Sequence, residues 1–230
     1  MGRSNVLVNR EVNVRFEPKT CQITGTHDMT DAAVLEQPVA LPRSKRLKAR
    51  TTGTHERLDQ SIMAGKPFSS RDRYAMFVQV QYQFHRDINV LYDDAALDAL
   101  FPDLKGRRRF EQVGQDLIDL GFELPAPDAA PAFAEGIEID LPTALGWLYV
   151  AEGSNLGAAF LLKEALKLEL SEEFGARHLA GAPEGRGLHW RTFTAALDEI
   201  DLTEAEEERV VAGAEAAFRR VHALVREIFV

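Results

Sequence analysis

The feature that most constrains this chain is the stretch at residues 141–168, LPTALGWLYVAEGSNLGAAFLLKEALKL. Apolar residues recur there at helical spacing over about seven turns, while three glycines interrupt them. Gly146, Gly153 and Gly157 fall at i, i+7 and i+11, so with Val150 and Phe160 they make one narrow stripe on a single helix face. Each glycine inside a helix costs roughly 1 kcal/mol relative to alanine, so three weaken the element by about 3 kcal/mol unless something must approach the backbone closely. The ordinary candidate is another helix, because faces of small residues allow close crossings. The sharper candidate is a flat ligand. A membrane span is set aside: Glu152, Ser154 and Asn155 fall mid-run, and the uninterrupted piece before Glu152 is far shorter than about 20 residues.

Around this helix the chain reads as all-α. Residues 1–42 carry Pro18, Pro38 and Pro42 and no sustained period, which reads as an unstructured extension ahead of one domain at 43–230. Met29 opens a segment, MTDAAVLEQP, that would serve equally well as the start of the protein. From Arg43, the residues Leu47, Thr51, Thr54, Leu58 and Ile62 share a helical face that Gly65-Lys66-Pro67 terminates. Ser69-Ser70-Arg71-Asp72 caps a second helix running to about Leu91. Further helices are expected at Asp94–Leu100, Lys105–Leu120, Ser171–Ala180 and Leu188–Ile200, with a last one from the capping box Thr203–Glu206 to about Phe229. A loop rich in Pro and Ala spans Leu124–Glu135, and no strand-like alternation is strong beyond residue 42.

Charge and cysteine content narrow the function. A net charge of -9 argues against a general binder of nucleic acid or anionic membrane, so any anionic ligand must be met by local bases. One cysteine, Cys21, permits neither an internal disulfide nor a cysteine metal cluster. With no n-region, h-region and cleavage site at the start, a cytoplasmic protein is expected, and a monomer.

Of the six histidines, His27, His85, His178, His189 and His222 have plain structural readings in the tail, the core, or near helix ends and turns. No HxxxH, HExxH or Glu-x-x-His pair exists, which excludes the simple zinc and di-iron readings. His55 differs. Asp59, four residues on, can accept a hydrogen bond from one ring nitrogen and leave the other free for a metal. Lys48 lies seven residues back on nearly the same side, about 10.5 Å along the axis, the reach from a haem iron to its propionates. One axial histidine, a base for the carboxylates and a bare helix on the opposite face would together clamp a flat iron macrocycle.

These residues also carry a resemblance. Thr52-Gly53-Thr54-His55-Glu56-Arg57-Leu58-Asp59 resembles the proximal helix of haem oxygenases, and Gly146 through Leu161 (GWLYVAEGSNLGAAFL) resembles the distal helix of their bacterial branch. The likeness extends over about residues 43–229, including Phe68–Asp72 and Phe174–Leu179. It implies a single all-α domain holding haem between those two helices. His55 then matches the axial iron ligand, Asp59 its hydrogen-bond partner, Gly153 and Gly157 the distal glycines, Lys48 a propionate-binding lysine and Phe218 a pocket-wall aromatic. Ser154 stands where the best-known members place an aspartate that anchors the distal water; Arg109 matches an arginine of some bacterial relatives and is a candidate for proton delivery, and Arg191 is the candidate for a second propionate base.

The activity implied is cleavage of haem, at once substrate and cofactor, to biliverdin, carbon monoxide and iron. Dioxygen is consumed, and electrons come from a ferredoxin or a flavin reductase, because no flavin or nicotinamide fingerprint is present in the sequence. Some bacterial relatives rotate the haem with lysines at the positions of Met63 and Asn155; their replacement here, with Lys48 retained, predicts mainly the α isomer. Two other readings compete: a haem carrier without turnover, and a helical scaffold whose glycine face packs on a partner helix.

Overall fold

The computed structural model describes residues 41–126 and 129–229, and the extension expected at 1–42 lies almost wholly outside them. Among the described residues the fold is all-α, without a named strand and with only isolated bridges at Ser171. Seven helices run α1 (Arg43–Ala64), α2 (Arg71–Ile88), α3 (Ala95–Leu100), α4 (Phe110–Asp119), α5 (Leu141–Leu166), α6 (Arg186–Glu199) and α7 (Glu204–Phe229), with 3₁₀ turns at Asn89–Asp93, Lys105–Arg107 and Arg177–Leu179.

Local signals fix most boundaries. Ser70 accepts a hydrogen bond from the Arg73 amide at 3.2 Å and opens α2, while Asp140 accepts one from the Thr143 amide at 3.1 Å and opens α5 with Pro142 in the first turn. Thr203 and Glu206 form the reciprocal capping box ahead of α7, with Thr203 N 2.8 Å from the Glu206 carboxylate and Glu206 N 3.3 Å from the Thr203 hydroxyl.

Helix α7 is the strut against which α5, α1 and α2 pack, while α6 lies on α5 and α4 on α2. Two glycines set the α5–α7 crossing. A methyl group on Gly146 would run into the Val210 carbonyl and the Ala214 amide, and one on Gly213 into the Thr143 carbonyl. Gly146 is therefore spent on helix packing, and the single stripe expected on α5 is divided. Val150 is buried in the core, whereas Gly157 and Phe160 lie exposed. The larger core joins Leu47 and Leu58 of α1 to Leu145, Leu148, Ala214 and Phe218, and a smaller one joins Tyr74, Phe77, Val113 and Leu170.

Three expected elements differ. The helix of residues 105–120 is split, because the backbone extends at Arg108 (ψ 138°) and sends three consecutive arginines to different partners: Arg107 to Glu152, Arg108 to Asp93 and Arg109 to the His178 carbonyl. Residues 171–180 form no helix. Gly175 takes a left-handed φ of +75°, and the buried Asp116 carboxylate accepts the amides of Arg177 (2.9 Å) and His178 (3.0 Å), so a side chain replaces the helical ladder. Helix α2 stops at Ile88, three residues short, where the chain tightens into the 3₁₀ turn.

Candidate functional site

His55 stands on α1 with 58% of its side chain exposed, on a helix held down by the buried Leu47, Thr51 and Leu58. Its Nδ1 is 3.3 Å from Asp59 Oδ2 one turn on, and its ring meets the buried Phe218 of α7 edge-on, with centroids 5.8 Å apart and planes at 87°. The phenyl and the carboxylate fix two sides of the imidazole, and Nε2 has no hydrogen-bond partner among the described residues. A carboxylate so placed can set the tautomer of an imidazole and leave its Nε2 free for a ligand.

Lys48 lies on the same helix, exposed and without an ion pair among the described residues, as a propionate base requires. On α5 the two remaining glycines differ. A Cβ at Gly157 would meet nothing within 4 Å, so the backbone there is open to an approaching surface, whereas at Gly153 it would stand 3.5 Å from the indole of Trp190. Ser154 is turned back on its own helix, its hydroxyl donating to the Ala151 carbonyl at 2.6 Å. Arg191 is exposed on α6, its guanidinium lying back over Gly187 on the same helix, and no contact joins it to Lys48 or His55. Asn155 is buried and its carbonyl accepts from Arg186 at 3.1 Å, while Met63 is exposed on α1.

Arg109 is half-buried beside two buried histidines. It donates to the His178 carbonyl at 3.2 Å, its Nε has no partner, and burial lowers the pKa of its guanidinium. His178 Nδ1 is 2.7 Å from Asp116 Oδ2, and the histidine read as lying near a helix end is a hydrogen-bonded core group. Burial, with His178 and Arg109 nearby, holds His85 neutral with its pKa lowered to about 3. The candidate for proton delivery thus sits in a polar interior behind α5, among side-chain nitrogens without protein partners at His85 Nδ1 and His178 Nε2.

A cluster centred on Glu152, one residue before Gly153, was not legible as a unit in the sequence. The Glu152 carboxylate, 2% exposed, accepts from Tyr92 Oη at 3.2 Å and from Arg107 Nη1 at 3.1 Å, and lies 3.5 Å from His189 Nε2. Glu152 was visible only as a charge inside an apolar run.

The donor set fits haem: one histidine with a carboxylate partner on α1, and a glycine on α5 whose backbone no side chain covers. Among the described residues no three His, Cys, Asp or Glu side chains converge as a metal cluster, and no helix is long and apolar enough to cross a membrane.

Known proteins share this fold and much of this sequence. The heme oxygenase family model matches residues 41–227. Heme oxygenase PigA of Pseudomonas aeruginosa is 46% identical over 187 residues, covering 81% of this chain and 93% of that protein. The Neisseria meningitidis heme oxygenase, solved with NO and CO bound, superposes with a TM-score of 0.77 at 44% identity, covering 83% of this chain and 93% of its own. The heme oxygenase-1 of Synechocystis sp. PCC6803, solved in complex with heme, shares the fold at a TM-score of 0.64 and 15% identity, over 81% of this chain and 92% of its own. The helical scaffold thus has its counterpart in a family match along nearly the whole described chain, and the protein belongs to the haem oxygenase family.

Proposed function

We propose that this enzyme cleaves haem to biliverdin, carbon monoxide and iron with dioxygen and electrons from a separate ferredoxin or flavin reductase. The observation that carries the reading is His55 backed by Asp59 and Phe218, and the open backbone at Gly157 supports it. Bound haem would supply both the iron that activates dioxygen and the ring that is cleaved.

The protein's part is position and protons. Nε2 of His55 would hold the iron, and Asp59 keeps the proton on Nδ1. Imidazole lacks the electron push of a thiolate, which disfavours early O–O cleavage. Glycine at 157 admits the ring face against the helix where a larger side chain would hold it away. Lys48 would pair a propionate, and Arg191 would serve as the second base by swinging out from over Gly187. Because the Ser154 hydroxyl is committed to Ala151, proton supply falls to Arg109 and the polar interior around it. The domain spans 43–230 and acts as a cytoplasmic monomer.

Lys48 on the exposed face of α1, with the apolar Met63 and the neutral Asn155 where rotating lysines would stand, supports mainly the α isomer. A charge-assisted hydrogen bond of roughly 1.5–3 kcal/mol suffices to favour one seating tenfold or more.

Hemin titration followed by absorption spectroscopy under a reductant tests the reading. A Soret band that converts to a biliverdin band is expected. A band that persists would make the protein a carrier, and no band at all a scaffold. Chromatography of the pigment against isomer standards tests the regiochemistry, and a β or δ majority would show that Lys48 does not set the seating.

A further inference from the structure

The cluster around Glu152 has more order than burial alone requires. A buried carboxylate with two cationic neighbours is weak evidence of stability, since apolar side chains of the same volume often hold a core equally well. What charged hydrogen bonds add is direction. Tyr92 comes from the 3₁₀ turn after α2, Arg107 from the turn before α4 and His189 from the first turns of α6, so three separate segments converge on one side chain of α5. Arg107 also donates to the His189 carbonyl at 3.3 Å, and its guanidinium lies 5.8 Å from the Phe193 ring centre, so its own position is fixed. His189 Nδ1 is held in turn by Glu184 at 2.7 Å.

The residues that follow Glu152 and His189 in sequence meet one another in turn. Glu152 precedes Gly153, and His189 precedes Trp190, whose indole is the nearest group to Gly153. Successive helical residues are about 100° apart around the axis. With Glu152 pinned inward, Gly153 must face about 100° away and Gly157 about 140° away, so the bonds to the carboxylate fix the rotation of the glycine face.

We propose that Glu152 is a positioning residue that, through Tyr92, Arg107 and His189, sets the rotation of α5 and hence where Gly153 and Gly157 present their backbone to the haem. The proposal rests on the haem oxygenase reading. It predicts that the cluster can be replaced without loss of stability but not without loss of the seating.

The test is the double variant Glu152→Leu/Arg107→Met, which removes the buried pair together and avoids leaving either charge alone. It is expected to melt at or above the wild type, to turn hemin over roughly tenfold to a hundredfold more slowly, as a misplacement of about 1 Å does, and to give a mixture of biliverdin isomers. In the hemin-free protein, acrylamide should quench its indole emission more readily. Trp147 is buried against Phe84, so that change reports on Trp190. Tyr92→Phe is the milder companion, removing one hydrogen bond with no charge and almost no volume, and it should slow turnover severalfold with KM for hemin little changed. A double variant with wild-type melting, quenching, turnover and isomer ratio overturns the proposal. If that variant does not fold, wild-type turnover and isomer ratio in Tyr92→Phe overturn it. Wild-type protein that fails to convert hemin would overturn the proposed activity instead, and the quenching measurement on hemin-free protein would then decide this proposal by itself.

Discussion

At the scale of single residues, the three glycines of α5 separate packing from function. Valine at Gly146 must push apart two helix backbones, and overpacking of that kind costs about 1–3 kcal/mol or more. A Cβ at Gly157 meets no protein atom within 4 Å and valine improves helix propensity, so Gly157→Val should melt at or above the wild type while hemin affinity and turnover collapse. Melting curves and hemin titrations on both variants check this opposition, and equal stability losses would remove Gly157 from the site. His55→Ala should stay within about 0.5 kcal/mol of wild-type stability, as exposed substitutions usually do, yet lose iron ligation. Partial rescue of turnover by added imidazole is the measurement. His55 and Asp59 were legible because helical spacing alone brings residues four apart together. Glu152 was not, because its partners Tyr92 and Arg107 are 60 and 45 residues away and no local pattern links them.

At the scale of elements, helices with a side-chain cap were legible at their starts to within a residue or two. The failures lie where a side chain from elsewhere takes over the backbone's hydrogen bonds. The segment 171–180 has residues compatible with a helix, but the buried Asp116 on α4 gathers the amides of Arg177 and His178 and the His178 ring into one carboxylate. Asp116→Ala should therefore leave the buried His178 amide and ring nitrogen unpaired at about 1–3 kcal/mol each, with the half-buried Arg177 amide besides, a loss of several kcal/mol in all. Urea unfolding monitored by circular dichroism checks it. A loss below about 1 kcal/mol would mean that the turn holds by itself. The division of the glycine stripe was unreadable for a related reason: spacing puts Gly146, Gly153 and Gly157 on one face of α5 but does not say that α7 covers only its first part.

At the scale of the whole molecule, two buried histidines should shape stability against pH in opposite windows. The pKa of His85 is lowered to about 3 by burial, so below about pH 6.5 the unfolded chain takes up a proton that the folded chain refuses, and stability falls by up to about 1.4 kcal/mol per pH unit. The pKa of His189 is raised, chiefly by the Glu152 carboxylate facing it, so its contribution is complete below about pH 6.5 and is lost as pH rises through the raised value. Urea midpoints at pH 5, 6.5 and 8 should be highest in the middle, with the acid slope flattened in His85→Leu and the alkaline slope flattened in His189→Gln. The all-α class and the site-bearing helices were legible from periodicity, but the role of α7 as common support was not, since its sequence shows only an amphipathic helix. That support has a consequence during synthesis. Both helices of the proposed site rest on α7, α1 through Phe218 and α5 through the Gly146–Gly213 crossing, and α7 follows every other helix among the described residues. About 140 residues separate the end of α1 from the start of α7. At ribosomal speeds of about 5–20 residues per second, the apolar face of α1 waits roughly ten to thirty seconds for its support. A nascent chain stalled before α7 would display the proposed ligand histidine without Phe218 behind it, so the capacity to capture an iron macrocycle should be acquired only once α7 has been translated.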